Sequence, residues 1–510
     1  MAPSVDTGGP VEKTSKVTSE RPQELERRFS LLSICGIAIS TGESWVALGG
    51  SLTVAIYNLG PPGVLYGLLV TSCLYWFVAA SIAELASAVP SSGTVYHWAS
   101  ITAGPRYGRF CGWFAGWWNF LAWIMGTASL GSFMALQTVT MYSTTHPEYI
   151  LQNWHIFVSY LVCTWLCCLV VLFGNTALPY IESVGAFVSG FGFLISILIC
   201  SIMPKVKGKP YASSAFVWKD VTNETGWSSD AFAFCLGMLN AAFAVGAPDI
   251  PSHLAEEMPR PTSNIPKAIL VQYIFSLVTG LLYLIAIFYA TSDLSHLPTA
   301  SIFPLADIYL QATGSPAATV ALLVLAFIPT TFGIIGCYIL VGRQFWTLAR
   351  DKATPYPEVF SHLSQRHGNP FAAILLSGIL TTLLGCIYVG STRAFNDLVG
   401  SFVILMSLSY LAAILPHLLS GRKNVKPGWF WMKGCIGYAV NGISCAYLAT
   451  FVVIFCFPAK MPLTVEAMNY SSVIVGGASL VIWGFWYYRR GQYEGPGYEV
   501  GGGEVGDEGG

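Results

Sequence analysis

Apolar runs well past the roughly 18 residues that suffice for a bilayer-crossing helix recur from Phe29 to Tyr488. They predict an all-α polytopic membrane protein with twelve spans, near 30–57, 63–88, 110–139, 153–173, 183–203, 228–251, 267–290, 316–341, 371–390, 394–419, 435–457 and 471–488. A length of 510 residues would otherwise suggest several soluble domains, but apolar residues make up 54% of the chain and charged residues 10%, against about a quarter charged in soluble domains. The balance of 25 basic and 26 acidic residues provides no basic field, so nucleic acid is not a partner. All 13 cysteines lie in or beside apolar runs without paired spacing in loops; they read as packing residues, not as disulfides or metal ligands.

The polar first 30 residues carry no cleavable signal peptide. Residues 1–29 are expected to be a disordered cytosolic tail, as is the Gly-rich, acidic stretch 491–510. With the N-terminus inside, most Lys and Arg residues fall in inner segments, which places both termini in the cytosol. Lys205, Lys207, Lys209 and Lys219 are the exception, in the third outer loop. That loop also holds Asn223-Glu224-Thr225, a glycosylation sequon that must face outward to be used. No nucleophile–base constellation appears, so no enzyme, cofactor or metal is expected.

The first apolar run is interrupted at Ser40-Thr41-Gly42-Glu43-Ser44-Trp45. A carboxylate at bilayer depth costs several kcal/mol or more if it faces lipid. A small-residue break beside it is tolerated only where backbone lines protein or a wet cavity. The sixth run has a matching interruption, Phe243 through Gly246, Pro248 and Asp249 to Pro251, where each proline removes a ladder hydrogen bond. Breaks in corresponding positions of two halves are the best sequence pointer to a transporter's substrate site.

Five ordered blocks carry a resemblance that covers nearly the whole chain. They are Ser44–Ser51 with Tyr57–Gly63; Glu84–Trp98; Asp249–Glu257 running on to Asn264–Lys267; Arg343–Asp351; and Met468–Ser472. On these the chain resembles the amino acid–polyamine–organocation transporter superfamily, specifically its fungal amino acid/choline branch. The resemblance implies a five-plus-five inverted repeat, residues 30–203 and 204–419, with two further helices in 420–490. It implies substrate bound between discontinuous helices one and six, closed in by helices three, eight and ten. Substrates of such proteins are amino acids, 4-aminobutyrate, choline or polyamines, driven by protons in most members and by sodium in others. The chain departs from the pattern in span five, which has no lysine where some proton-coupled members carry one in place of sodium.

Glu43 is the first candidate to face a substrate cation, since an ammonium beside a desolvated carboxylate is attracted far more strongly than in water. It could also exchange a proton against substrate; a structural hydrogen-bonding role is the alternative. Trp45, Trp113, Trp117, Trp118 and Phe243 offer ring faces to an ammonium, or pack and anchor the spans. The resemblance singles out Phe243, where the family keeps a gating aromatic. Thr41, Gly42, Ser44 and Gly246 are candidates for contacts to substrate at the breaks, and the glycines alternatively serve helix packing. Asp249 caps the second half of span six or contacts substrate. Thr330 and Thr331 stand where relatives bind sodium or its replacement, or bond to their own helix. Glu84, Glu256, Glu257, Arg343, Arg350 and Asp351 end spans on the inner side and are expected to pair there as an inner gate.

These readings converge on a secondary carrier that moves a small amine-bearing solute by alternating access, in the plasma membrane first and the vacuolar membrane as the alternative. Choline or another organic cation ranks ahead of a zwitterion, because Glu43 would repel a carboxylate. The rivals are a carrier for a precursor or product of a fungal secondary-metabolite pathway, and an amino acid receptor that signals without transport. Oligomeric state is not readable.

Overall fold

The computed structural model describes residues 25–291, 303–387, 394–464, 468–493 and 495–496. Residues 1–24 and 497–510, most of the two expected tails, lie outside the described residues. The secondary structure described is helical, apart from an isolated bridge between Asn58 and Asn223.

Twelve apolar spans stand where the hydrophobic runs place them. Span 1 is Leu31–Thr41 with Ser44–Gly50, span 2 Gly60–Ala88, span 3 Gly104–Thr145 and span 4 Asn153–Phe173. Span 5 is Leu178–Val206, span 6 Asp230–Val245 with Ile250–Glu257, span 7 Pro261–Ala290 and span 8 Pro316–Arg350. Spans 9 to 12 are Phe371–Gly385, Ala394–Leu419, Gly434–Ile454 and Ser471–Arg489. Eleven are long and apolar enough to cross a membrane, and span 9 is a shorter apolar helix. Large apolar side chains such as Phe187, 75% exposed, point outward along the spans, as they must where the surrounding medium is hydrocarbon.

Local chemistry sets where several spans begin. Spans 2, 3, 5, 7 and 8 carry Pro in their first two positions, where the missing N–H would have no intrahelical partner in any case. Ser30 caps span 1 by accepting from the Ser33 amide, and Ser229 caps span 6 from the Phe232 amide.

Three features differ from expectation. Spans 3 and 8 reach 42 and 35 residues; in span 8 the added turns, Arg343 to Ala349, are buried against neighbours. Short helices at Val95–Thr102 and Pro304–Thr313 pack across opposite ends of the bundle; eight to ten residues between spans carry too little periodic signal to announce them. The inner parts of both expected tails are ordered. Leu25 and Phe29 are buried, and Tyr493 is fully buried against Trp113 and Trp486. Arg109 donates to the Arg490 carbonyl at 2.6 Å and to the Tyr493 carbonyl. Tyr493 donates its hydroxyl to that of Tyr96 at 2.9 Å. Burial first, and the charge of Asp351 second, push the Tyr96 phenol well above its ordinary value, so this contact is neutral.

Candidate functional site

Span 1 leaves helical geometry at Gly42 (φ −88°, ψ 39°) and Glu43 (φ −56°, ψ 73°) and resumes at Ser44. Span 6 stops at Val245 and resumes at Ile250 as tight 3-10 winding, since Pro248 and Pro251 leave too few N–H groups for an α-helical ladder. Backbone polar groups freed at such depth must find partners. Tyr273 of span 7 donates to the Val245 carbonyl at 2.7 Å, and Gln272 donates to Ala247 at 3.1 Å. The Ser44 hydroxyl lies 2.9 Å from the Gly42 carbonyl and 3.3 Å from that of Ala244, so it ties one break to the other. A Cβ on Gly42 would stand 2.9 Å from Gln272 Nε2; glycine lets span 7 reach in.

Asp249 sits at the span 6 break, fully buried. It makes no side-chain cap to the 3-10 segment, which corrects the capping expectation. Donors from three spans take its oxygens instead: Tyr410 at 2.6 Å on Oδ1, and Asn119 at 2.9 Å, His253 Nε2 at 3.2 Å and Trp123 at 3.4 Å on Oδ2. Four donors outcompete one local cap. Beyond Asp249 runs a row of rings, Trp123 at 5.9 Å from Phe402 and Phe402 at 5.6 Å from Phe243. Phe243 thus stands beside the break, as expected.

Glu43 is in the opposite situation. It is 5% exposed, so it faces protein and not acyl chains, and neither oxygen accepts a hydrogen bond within normal geometry. The Ser189 hydroxyl of span 5 is the polar side chain beside it, and Glu182 of the same span acts on it electrostatically. Glu182 is fully buried; Ser40 donates to its Oε2, and its Oε1 has no partner. Two buried carboxylates thus flank the span 1 break.

The other candidates divide. Thr41 lies against Gly336 of span 8, where a Cβ would come within 1.9 Å of its hydroxyl, and that hydroxyl has no partner. Gly246 admits the Tyr75 hydroxyl, 3.1 Å from where its Cβ would be. Trp45 is fully buried, donates to Ser189 at 3.1 Å and packs on Tyr283 at 5.1 Å; its ring is occupied by packing. Trp117 joins Trp113, Phe345 and Phe485 in an aromatic cluster. Thr330 and Thr331 donate to the carbonyls of Ala326 and Phe327, four residues back in their own helix. Asn223 gives both amide hydrogens to the Trp227 carbonyl and Asp230.

The span ends on the side of the described termini carry the expected ion pairs. Arg343 is buried and grips Glu257 twice, at 2.7 and 3.2 Å, and bonds Asn175 at 3.2 Å. Arg350 pairs with Glu256 at 3.0 Å, Asp351 with His97 at 3.0 Å, and Glu84 with Arg422. The Phe29 amide donates to the Glu257 carbonyl at 3.0 Å, so the start of span 1 and the end of span 6 are held together.

Sequence reasoning missed Glu182, Ser189, Asn119, Trp123, His253, Gln272 and Tyr410. Only Glu182 left a usable trace, a carboxylate at the edge of an apolar run.

The sequence profile of the amino acid permease family matches residues 29–479. The chain is 32% identical to the choline transporter of Saccharomyces cerevisiae over 93% of its own length and 83% of that protein's. It is 29% identical to a putative amino acid/polyamine transporter of Macrophomina phaseolina, over 86% of this chain and 96% of that protein. The 7-keto 8-aminopelargonic acid transporter of Saccharomyces cerevisiae is 24% identical, over 90% and 91% respectively. With its span pattern, its two broken helices and a match over most of its length, this multi-pass membrane protein belongs to the amino acid permease family of the amino acid–polyamine–organocation superfamily.

Proposed function

We propose that the protein is a proton-coupled secondary carrier of a small amine-bearing solute, choline or another organic cation ahead of 4-aminobutyrate, polyamines and amino acids. The observation that carries this reading is Glu43: a buried carboxylate at a helix break, with neither oxygen hydrogen-bonded and no ion pair among the described residues. A charge so placed is stabilised by a cation brought to it. The aromatic row from Trp123 to Phe243 adds ring faces suited to a quaternary or primary ammonium, each worth about 0.5–2 kcal/mol. The name of the yeast relative, a choline transporter, agrees with that chemistry.

Transport in this reading is a rocking of the span 1 and span 6 halves against spans 3 and 8, with residues 30–203 and 204–419 as the two repeats. The Glu257–Arg343 and Glu256–Arg350 pairs close the cytosolic side and part when the site opens inward. The plasma membrane, with both termini in the cytosol, is the proposed setting. The test is uptake of choline, 4-aminobutyrate, polyamines and amino acids in a transport-deficient host, with and without a proton uncoupler. Uncoupler-sensitive uptake of at least one amine is expected; binding and signalling without flux would overturn the reading.

A further inference from the structure

Thr330 and Thr331 donate to their own helix, and the lysine of span 5, Lys205, stands in its last turn, far along the helix from Glu182. Two buried carboxylates with unsatisfied oxygens stand where spans 1 and 5 meet. Both Glu43 oxygens and one Glu182 oxygen are buried without hydrogen bonds, and the Thr41 hydroxyl, 7% exposed, is likewise unpartnered at the same break. Glu182 is reached from span 1 by Ser40, and Glu43 lies beside Ser189 and within the field of Glu182. Two carboxylates in one dry site do not both stay charged without cations to meet them.

The surrounding elements bring none. Neither glutamate enters an ion pair among the described residues. Span 8 contributes Cys337 beside Glu182, and span 1 its own half-buried Cys35. From span 7, Tyr273 is committed to the Val245 carbonyl and Tyr283 to Tyr309 of the 304–313 helix. Asp249 and His253 of span 6 bond to each other.

Resting on the reading of the chain as a carrier of an ammonium-bearing solute, we propose that Glu43 and Glu182 together hold one coupling proton and leave one negative charge for the solute. A single carboxylate would force proton and ammonium to compete. A pair meets both at once: the proton resides on Glu182, Glu43 meets the ammonium, and one proton moves with each solute. The loaded pair is neutral, and each turnover that releases both carries two positive charges across the membrane.

Two measurements on the purified full-length protein test this. The first needs no solute: infrared difference spectra across a pH titration in hydrogen and deuterium oxide. A protonated-carboxyl band is expected in the wild type, moved in frequency and to lower pH in Glu182→Gln, where Glu43 titrates alone, and shifted in Ser40→Ala, which removes only the donor to Glu182. The second is choline accumulation in proteoliposomes under an inward proton gradient. With the membrane potential clamped at zero, about tenfold accumulation per unit of pH is expected at one proton per solute, collapsing to no accumulation in Glu182→Gln, whose uptake external acid should now inhibit. Absence of the band in the wild type, an unchanged band in both variants, gradient-driven accumulation that survives in Glu182→Gln, or accumulation that follows sodium would each overturn the proposal. If the wild type moves no choline, the carrier reading is at fault, and the infrared arm still decides the proton site.

Discussion

Asp249 and Glu43 carry the same functional group at the two helix breaks, and their surroundings divide the labour between them. Asp249 accepts from Tyr410, Asn119, His253 and Trp123, so its negative charge is already met by dipoles from spans 3, 6 and 10. Asp249→Ala would orphan several buried donors at about 1–3 kcal/mol each, and a clear fall in the thermal unfolding midpoint in detergent is expected. Glu43 has no such set of donors, only the Ser189 hydroxyl beside it. Glu43→Gln should leave the midpoint close to wild type while uptake of cationic solutes drops about tenfold or more, a change of at least about 1.4 kcal/mol; unaltered uptake at several external pH values would remove Glu43 from the mechanism. Glu43 was legible in the sequence because a charge inside an apolar run is conspicuous. Ser189 and Gln272 were not, because a serine or glutamine in a span looks the same whether it serves a site or its own helix.

At the scale of elements, the two interruptions are written locally, by Gly42 beside Glu43 and by the prolines at 248 and 251. What they become is decided by neighbours. Span 7 fills the carbonyls freed in span 6 through Tyr273 and Gln272, and span 8 presents Gly336 where Thr41 must sit. The second contact can be tested by compensation. Gly336→Ala places a Cβ 1.9 Å from the Thr41 hydroxyl and is expected to abolish transport by pushing the break off span 8. Adding Thr41→Ala, which costs no hydrogen bond since that hydroxyl has no partner, should restore part of the initial rate. Failure of the second change to recover any activity would show that the glycine serves another purpose.

At the scale of the whole molecule, ion pairs on the side of the described termini clamp elements that any opening there must separate. Glu257 and Arg343 are both buried, and breaking a buried pair by removing one partner costs about 3–5 kcal/mol. Arg343→Ala should speed amide exchange in the 250–257 segment and at the start of span 1, with little change in spans 9 to 12. Uniform acceleration would mean general unfolding instead of a released gate. Tyr493 holds the same face: Tyr493→Ala, which empties the place between Trp113, Trp486 and Tyr96, is expected to lower the unfolding midpoint more than Tyr493→Phe, which removes only a hydroxyl. Charges at span ends were readable as gate material, but their partners were not, since Glu84 meets Arg422 and Asp351 meets His97 across some 250 residues or more of chain.

The number of spans, their order and approximate positions, and the places where two of them fail were determined by the sequence alone. Hydrophobic length and the backbone limits of proline and glycine are local properties, and hydrocarbon leaves a chain almost no other way to satisfy its peptide groups. Tertiary structure decided which carboxylate is satisfied, which hydroxyl turns back on its helix and which arginine closes which end. Those outcomes depend on short-range contacts, a few ångströms long, between residues far apart in the chain, and no local pattern encodes them.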